Sequence, residues 1–192
     1  MPCSAQRLRL DLRNGSRCAS CGKTFVDGRL LDFAHRDSTN KLCGREHNRR
    51  IDPSSIESLS KTEKEVKLCD LLCANCHSLE TSVAENDYPN KHSDSSVCME
   101  RQQRLEFVNA EKIKRKACVD CGVKVDPSIP NFPMFDFDHK PGSQKRAKVS
   151  RLVRDRYSLQ SIQQEMYLCD LRCKCCHRSA SLNRQRFAHQ RN

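Results

Sequence analysis

The sequence predicts two small α+β domains in tandem, each stabilised by zinc, joined by a polar linker and a helix. Three observations point there: a thin supply of core-forming residues, fourteen cysteines spaced largely in pairs, and a long-range internal repeat. Of the 192 residues, 36% are hydrophobic and 5% aromatic, with no Trp, so one large apolar core is not expected. Small domains with thin cores need a staple, either disulfides or a metal.

The compartment decides between the two staples. Met1-Pro2-Cys3-Ser4-Ala5-Gln6-Arg7 leads into no apolar stretch of a secretory signal, and no run approaches transmembrane length. Paired cysteines in a reducing compartment are zinc ligands first and disulfides second. The expected location is intracellular and reducing, in the cytoplasm or nucleus, with an organelle or a virion as alternatives. The organelle is suggested by an Arg-rich start (Arg7, Arg9, Arg13, Arg17) that holds the single acid Asp11.

The repeat is read from anchors one hundred residues apart. Cys18-Ala19-Ser20-Cys21-Gly22 returns as Cys118-Val119-Asp120-Cys121-Gly122. Cys69-Asp70-Leu71-Leu72-Cys73-Ala74-Asn75-Cys76-His77 returns as Cys169-Asp170-Leu171-Arg172-Cys173-Lys174-Cys175-Cys176-His177. Ser58-Leu59 matches Ser158-Leu159, and Glu65 matches Glu165. Between the anchors, Leu31-Asp32-Phe33-Ala34-His35 matches Phe135-Asp136-Phe137-Asp138-His139, displaced by four further residues. Insertions absorbed in loops while anchors persist mark a duplicated fold. The polar stretch from Ser82 to Ser96 separates the copies, so the modules are expected at 1–82 and 118–192. Residues 83–117 then form the linker and a basic helix over Met99–Lys116. That helix has few apolar positions and is expected to pack loosely. Its basic end (Lys112, Lys114, Arg115, Lys116) is either a solvated face or a phosphate contact.

Within each module the expected order is a CxxC turn, a short strand, a variable loop, a helix, and a second CxxC opening a last helix. Met134 to Asp138 alternates apolar and acidic residues, which puts Asp136 and Asp138 on one strand face. Ser158 to Leu168 is a helix candidate, capped by Ser158 or Ser161, with Leu159, Ile162 and Met166 at helical spacing.

A tetrahedral structural zinc takes four Cys or His ligands, and a C-x₂-C knuckle supplies two from one turn. The candidates are Cys18, Cys21, Cys73 and Cys76 in the first module and Cys118, Cys121, Cys173 and Cys176 in the second. Gly22 and Gly122 follow the first knuckles, where positive φ is common. Cys69 and Cys169 read as buried packing thiols, Cys175 as an alternative ligand at best, and Cys3, Cys43 and Cys98 as free thiols.

The arrangement CxxCG, then a strand ending in Asp-His, then Lys, Glu and a second CxxCH, resembles a zinc-stapled branch of the HNH, or ββα-metal, endonucleases. Both modules resemble it over most of their length. The resemblance implies a two-stranded ribbon and a helix around one catalytic divalent ion, beside a structural zinc. It implies His139 as general base, with Asp138 and His177 as ligands of a catalytic Mg²⁺ or Mn²⁺. Those types suit the chemistry, an imidazole taking a proton from water and a carboxylate with an imidazole holding a divalent ion. Bland alternatives stay open: a surface turn at Asp138-His139, and a helix cap or zinc ligand at His177. The first module departs from the pattern at Ala34, and Asp32, ~6–7 Å along the same strand face, does not simply replace it. The second departs at Leu168, where the family's Asn is expected, and at Ser181.

The formal net charge is +11, divided as +1 over residues 1–95 and +10 over residues 96–192. Two four-thiolate zinc sites would reduce the total to about +7. Such a surplus favours a polyanionic partner, nucleic acid first, with DNA ahead of RNA. Lys140, Lys145, Arg146, Lys148, Arg151 and Arg154 follow the strand directly and are the candidate phosphate contacts. Two functions are therefore expected in competition. One is a metal-dependent DNA endonuclease, its second module catalytic and its first structural. The other is a non-catalytic zinc protein that binds nucleic acid or serves in a ribonucleoprotein or virion. No membrane partner is expected.

Overall fold

A computed structural model describes residues 4–37, 56–86, 95–129 and 131–189. The chain divides into two compact units, Met1–His77 and Ser78–Asn192. The first holds α1 (Ser4–Arg13), β1 (Leu31–His35), α2 (Ile56–Lys67), β2 (Cys69–Cys73) and the start of α3 (Ala74–Asn86). The second holds α4 (Ser95–Arg115), β3 (Phe135–His139), α5 (Val149–Arg154), α6 (Leu159–Tyr167), β4 (Cys169–Cys173) and α7 (Lys174–His189). This is a small α+β protein with two β-hairpins, each beside a helix and a four-cysteine cluster. No helix among the described residues is long and apolar enough to cross a membrane.

Each hairpin is antiparallel and in the same register. Leu31 faces Cys73 and His35 faces Cys69 in the first; Phe135 faces Cys173 and His139 faces Cys169 in the second. Leu31 and Phe135 are almost fully buried, as strand residues under a helix should be. The acidic positions do not all face water: Asp138 is 5% exposed. Ser158 caps α6, its side-chain oxygen accepting the Ser161 N–H, and Ile162 and Met166 on that helix are buried. The second core gathers Phe135, Phe137, Leu152, Ile162, Met166 and Leu171.

The helix before each knuckle is tied into its unit more closely than its few apolar positions predict. Val108 of α4 is buried in the second core. The Arg115 guanidinium lies 5.3 Å from the centroid of the Phe137 ring and donates to the carbonyls of Cys169 and Met166. Arg13 at the end of α1 does the equivalent, 5.5 Å from the centroid of Phe33 and donating to the Leu31 carbonyl. A guanidinium stacks on a ring and reaches two carbonyls at once, so one polar residue holds a helix that lacks an apolar stripe. Lys112 points inward too, donating to the Phe132 carbonyl at 2.8 Å; burial pulls its pKa down to about 8.

Candidate metal centres and the hairpin site

The first knuckle of each unit is a tight turn clipped to the hairpin. Gly22 and Gly122 have φ of +70°, and their N–H groups donate to the Cys18 and Cys118 carbonyls. Ala19 N–H donates to the Leu71 carbonyl at 2.8 Å, and Val119 N–H to that of Leu171 at 3.0 Å. The turn is thereby hung beside the strand whose last residue, Cys73 or Cys173, is the third sulfur. The helix that starts next brings Cys76 or Cys176 round as the fourth.

The four sulfurs of each group lie within 4.8 Å of one another. Cys21 Sγ is 3.9 Å from Cys73 Sγ, and Cys121 Sγ is 3.8 Å from Cys173 Sγ. A tetrahedron with Zn–S bonds of about 2.3 Å has S···S edges of ~3.8 Å, so both groups can hold a zinc ion. The electrostatics agree. Burial and the neighbouring Cys173 sulfur push the Cys176 thiol up, while a cation shared by four sulfurs would relieve that cost. Burial also works to raise Cys118, but backbone N–H groups of Cys173, Cys121 and Asp120 outweigh it and bring it to about 7. None of the described cysteines is in a disulfide. Cys69 and Cys169 are buried and donate to the Glu65 and Glu165 carbonyls at 3.3 and 3.2 Å, and Cys175 stands outside the second cluster. Cys3, Cys43 and Cys98 lie outside the residues whose side chains are described.

The histidines and acids of the hairpins form two pairs common to both units. His35 bonds Glu65 in the first, and His139 Nε2 lies 2.6 Å from Glu165 Oε1 in the second. His77 Nδ1 lies 3.1 Å from Asp32 Oδ2, and His177 Nδ1 lies 3.1 Å from Asp136 Oδ2. The sequence reading singled out neither Glu165 nor Asp136 for the site. The signal was present in the matches Glu65/Glu165 and Asp32/Asp136.

The second unit adds a charged cluster that has no equivalent among the described residues of the first. Asp138 Oδ1 is 3.3 Å from His177 Nε2, which brings two of the three family-implied residues into contact, with His139 next in the strand. The same carboxylate takes Arg172 Nη1 at 3.0 Å and Arg184 at 3.1 Å. Burial alone would raise the Asp138 pKa, but Arg184, His177 and Arg172 hold it below the usual carboxylate range. Arg172 also meets Asp120 at 2.8 Å and Asp170 at 3.6 Å. In this arrangement both ring nitrogens of His177 face carboxylates, and the charge of Asp138 is met by two guanidiniums. Among the described residues, only the two cysteine clusters gather a metal-ligand set. The residues that match Asp138, Arg172 and Arg184 in the repeat are Ala34 and Leu72 of the first unit and Ala84 of helix α3.

Of the candidate phosphate contacts, Lys140, Lys145, Arg146 and Lys148 are exposed. Arg151 and Arg154 are exposed as well, but each pairs with Asp155 at 3.0 Å. No model of a known protein family, no curated protein and no solved structure matches the chain.

Proposed function

We propose that this chain binds nucleic acid, its second unit making the phosphate contacts, on two zinc-stapled scaffolds of the ββα-metal type. The observation that carries this reading is the segment after β3. It presents Lys140, Lys145, Arg146 and Lys148 to solvent, with no ion-pair partner for them among the described residues. It lies in the half of the chain with a net charge of +10. Duplex DNA is the favoured ligand and RNA the second; a place in a larger assembly is compatible with either. Fluorescence anisotropy of the zinc-loaded chain on duplex DNA tests it. Four phosphate contacts give a log–log salt slope of about −3 to −4, which the variant K140Q/K145Q/R146Q/K148Q should bring close to zero. Equal affinity and slope in the two proteins would sink the reading.

A second reading is metal-dependent hydrolysis of DNA phosphodiester bonds by the second unit. It is supported by the contact between Asp138 and His177, and by His139, whose Nδ1 has no partner among the described residues while Glu165 holds Nε2. A base needs such a free nitrogen and a group that orients the other. Against it stand the guanidiniums on Asp138, which would have to leave before Mg²⁺ or Mn²⁺ could bind. Plasmid nicking with either ion decides; equal nicking by wild type and His139→Ala removes this reading.

A further inference from the structure

Glu165 carries more than its pairing with His139. Its Oε1 also accepts the backbone N–H of Arg146 at 3.0 Å and of Ala147 at 3.3 Å. The side chain is 4% exposed. Burial works to raise its pKa, yet His139 and the two N–H donors keep it below the usual carboxylate range.

The segment it holds is built for rigidity at its ends. Lys140-Pro141-Gly142-Ser143 is a turn in which Ser143 N–H donates to the Lys140 carbonyl at 3.1 Å, with Gly142 at φ +79°. Proline at the second position and a positive-φ glycine at the third suit a type II turn. At the far end α5 is seated by the buried Val149, Leu152 and Val153. Between them, both backbone hydrogen bonds that Arg146 and Ala147 make to the unit end on Glu165, while the Ala147 side chain packs against the core. Four exposed like charges on so short a stretch repel one another, so an unanchored loop would spread them.

We propose that Glu165 is the positioning residue of a phosphate-binding loop, fixing Lys140, Lys145, Arg146 and Lys148 as one surface for the backbone of duplex DNA. This rests on the nucleic-acid reading above. It gives the buried carboxylate a role separate from hydrolysis and assigns the loop its ligand.

The test uses the full chain with its zinc content measured, in the variants Glu165→Ala and Glu165→Gln. Alanine removes the acceptor; glutamine keeps a carbonyl oxygen that both N–H groups can reach. In E165A the DNA affinity should fall about tenfold at low salt and the salt slope should shrink by about 1–2. In E165Q both should stay near wild type, a rescue that mere loss of a buried charge does not predict. Hydrogen exchange at the Arg146 and Ala147 amides should speed at least ~10-fold in E165A and not in E165Q. Should E165A lose its second zinc, Glu165→Asp replaces it. One methylene shorter, that side chain cannot span His139 and the loop together, so the same losses are expected. A zinc-complete E165A with the wild-type slope, or with both amides still protected, overturns the positioning role while leaving nucleic-acid binding intact. Wild-type chain that binds neither duplex DNA nor an RNA hairpin overturns the functional reading, and this inference with it.

Discussion

The two units share a scaffold, and among the described residues a charged patch sets the second apart; the difference separates structural polar groups from candidate functional ones. Both keep the knuckle turns, the four sulfurs, the stacked arginine, the His–Glu pair and the His–Asp pair. The first unit keeps these although Ala34 stands where the second unit has Asp138. The pairs therefore hold the hairpin to its helices whether or not any chemistry follows. In the second unit Asp138, Arg172 and Arg184 replace Ala34, Leu72 and Ala84 as a set. A buried carboxylate is tolerated only with its charge met, so the three changes are interdependent.

The largest effect expected from this comparison is on the metal. Cys173→Ser should reduce zinc from two per chain to one and unfold the second unit, leaving the first folded; Cys73→Ser should do the reverse. Structural zinc binding is worth about 10 kcal/mol or more, beyond what so thin a core can replace. Metal analysis with backbone NMR reads both, and loss of both zincs from either variant would dissolve the picture of two separate staples.

A middle-sized effect is expected at the charged patch. Asp138→Ala leaves Arg172, 14% exposed, with a partner fewer, and should cost about 1–3 kcal/mol in urea unfolding of the second unit. Carrying all three matching residues of the repeat across, as D138A/R172L/R184A, should recover most of that loss, because an apolar trio has no charge left unmet. A triple variant less stable than the single one would show that the patch is not interchangeable. The sign with pH follows from Asp138. Its folded pKa is depressed, so its contribution is present above the unfolded value of about 4 and is lost as pH falls through the folded one. Wild type should thus lose ground to the triple variant below about pH 4, a difference in which the zinc-site titration common to both cancels.

The smallest effect belongs to Cys175. Replacing it with Asn, the residue at the matching first-unit position, should leave two zincs per chain and shift the unfolding midpoint little, since its sulfur is not among the clustered four. A stoichiometry of one would transfer the ligand role to it.

What was legible beforehand followed from local pattern. Cysteine spacing named all eight clustered sulfurs, because a knuckle is a turn of four residues and needs nothing distant to form. The Ser158 cap and the helix after it were equally local. The strand alternation placed Asp138 correctly in β3 but said nothing of its burial, which depends on what covers that face.

By itself, then, the sequence determined a duplicated α+β scaffold, two sets of four sulfur ligands and an uneven distribution of positive charge. Tertiary structure alone decided the partners. It set Arg184, 46 positions beyond Asp138, against that carboxylate, and joined Glu165 to both His139 and the loop. It also turned Lys112 and Arg115 inward while Lys140, Lys145, Arg146 and Lys148 remained in solvent. The reason is physical: a charged side chain has the same composition whether it meets water, a ligand or a buried counter-charge. Only the packing around it settles which, through the desolvation cost that each choice carries.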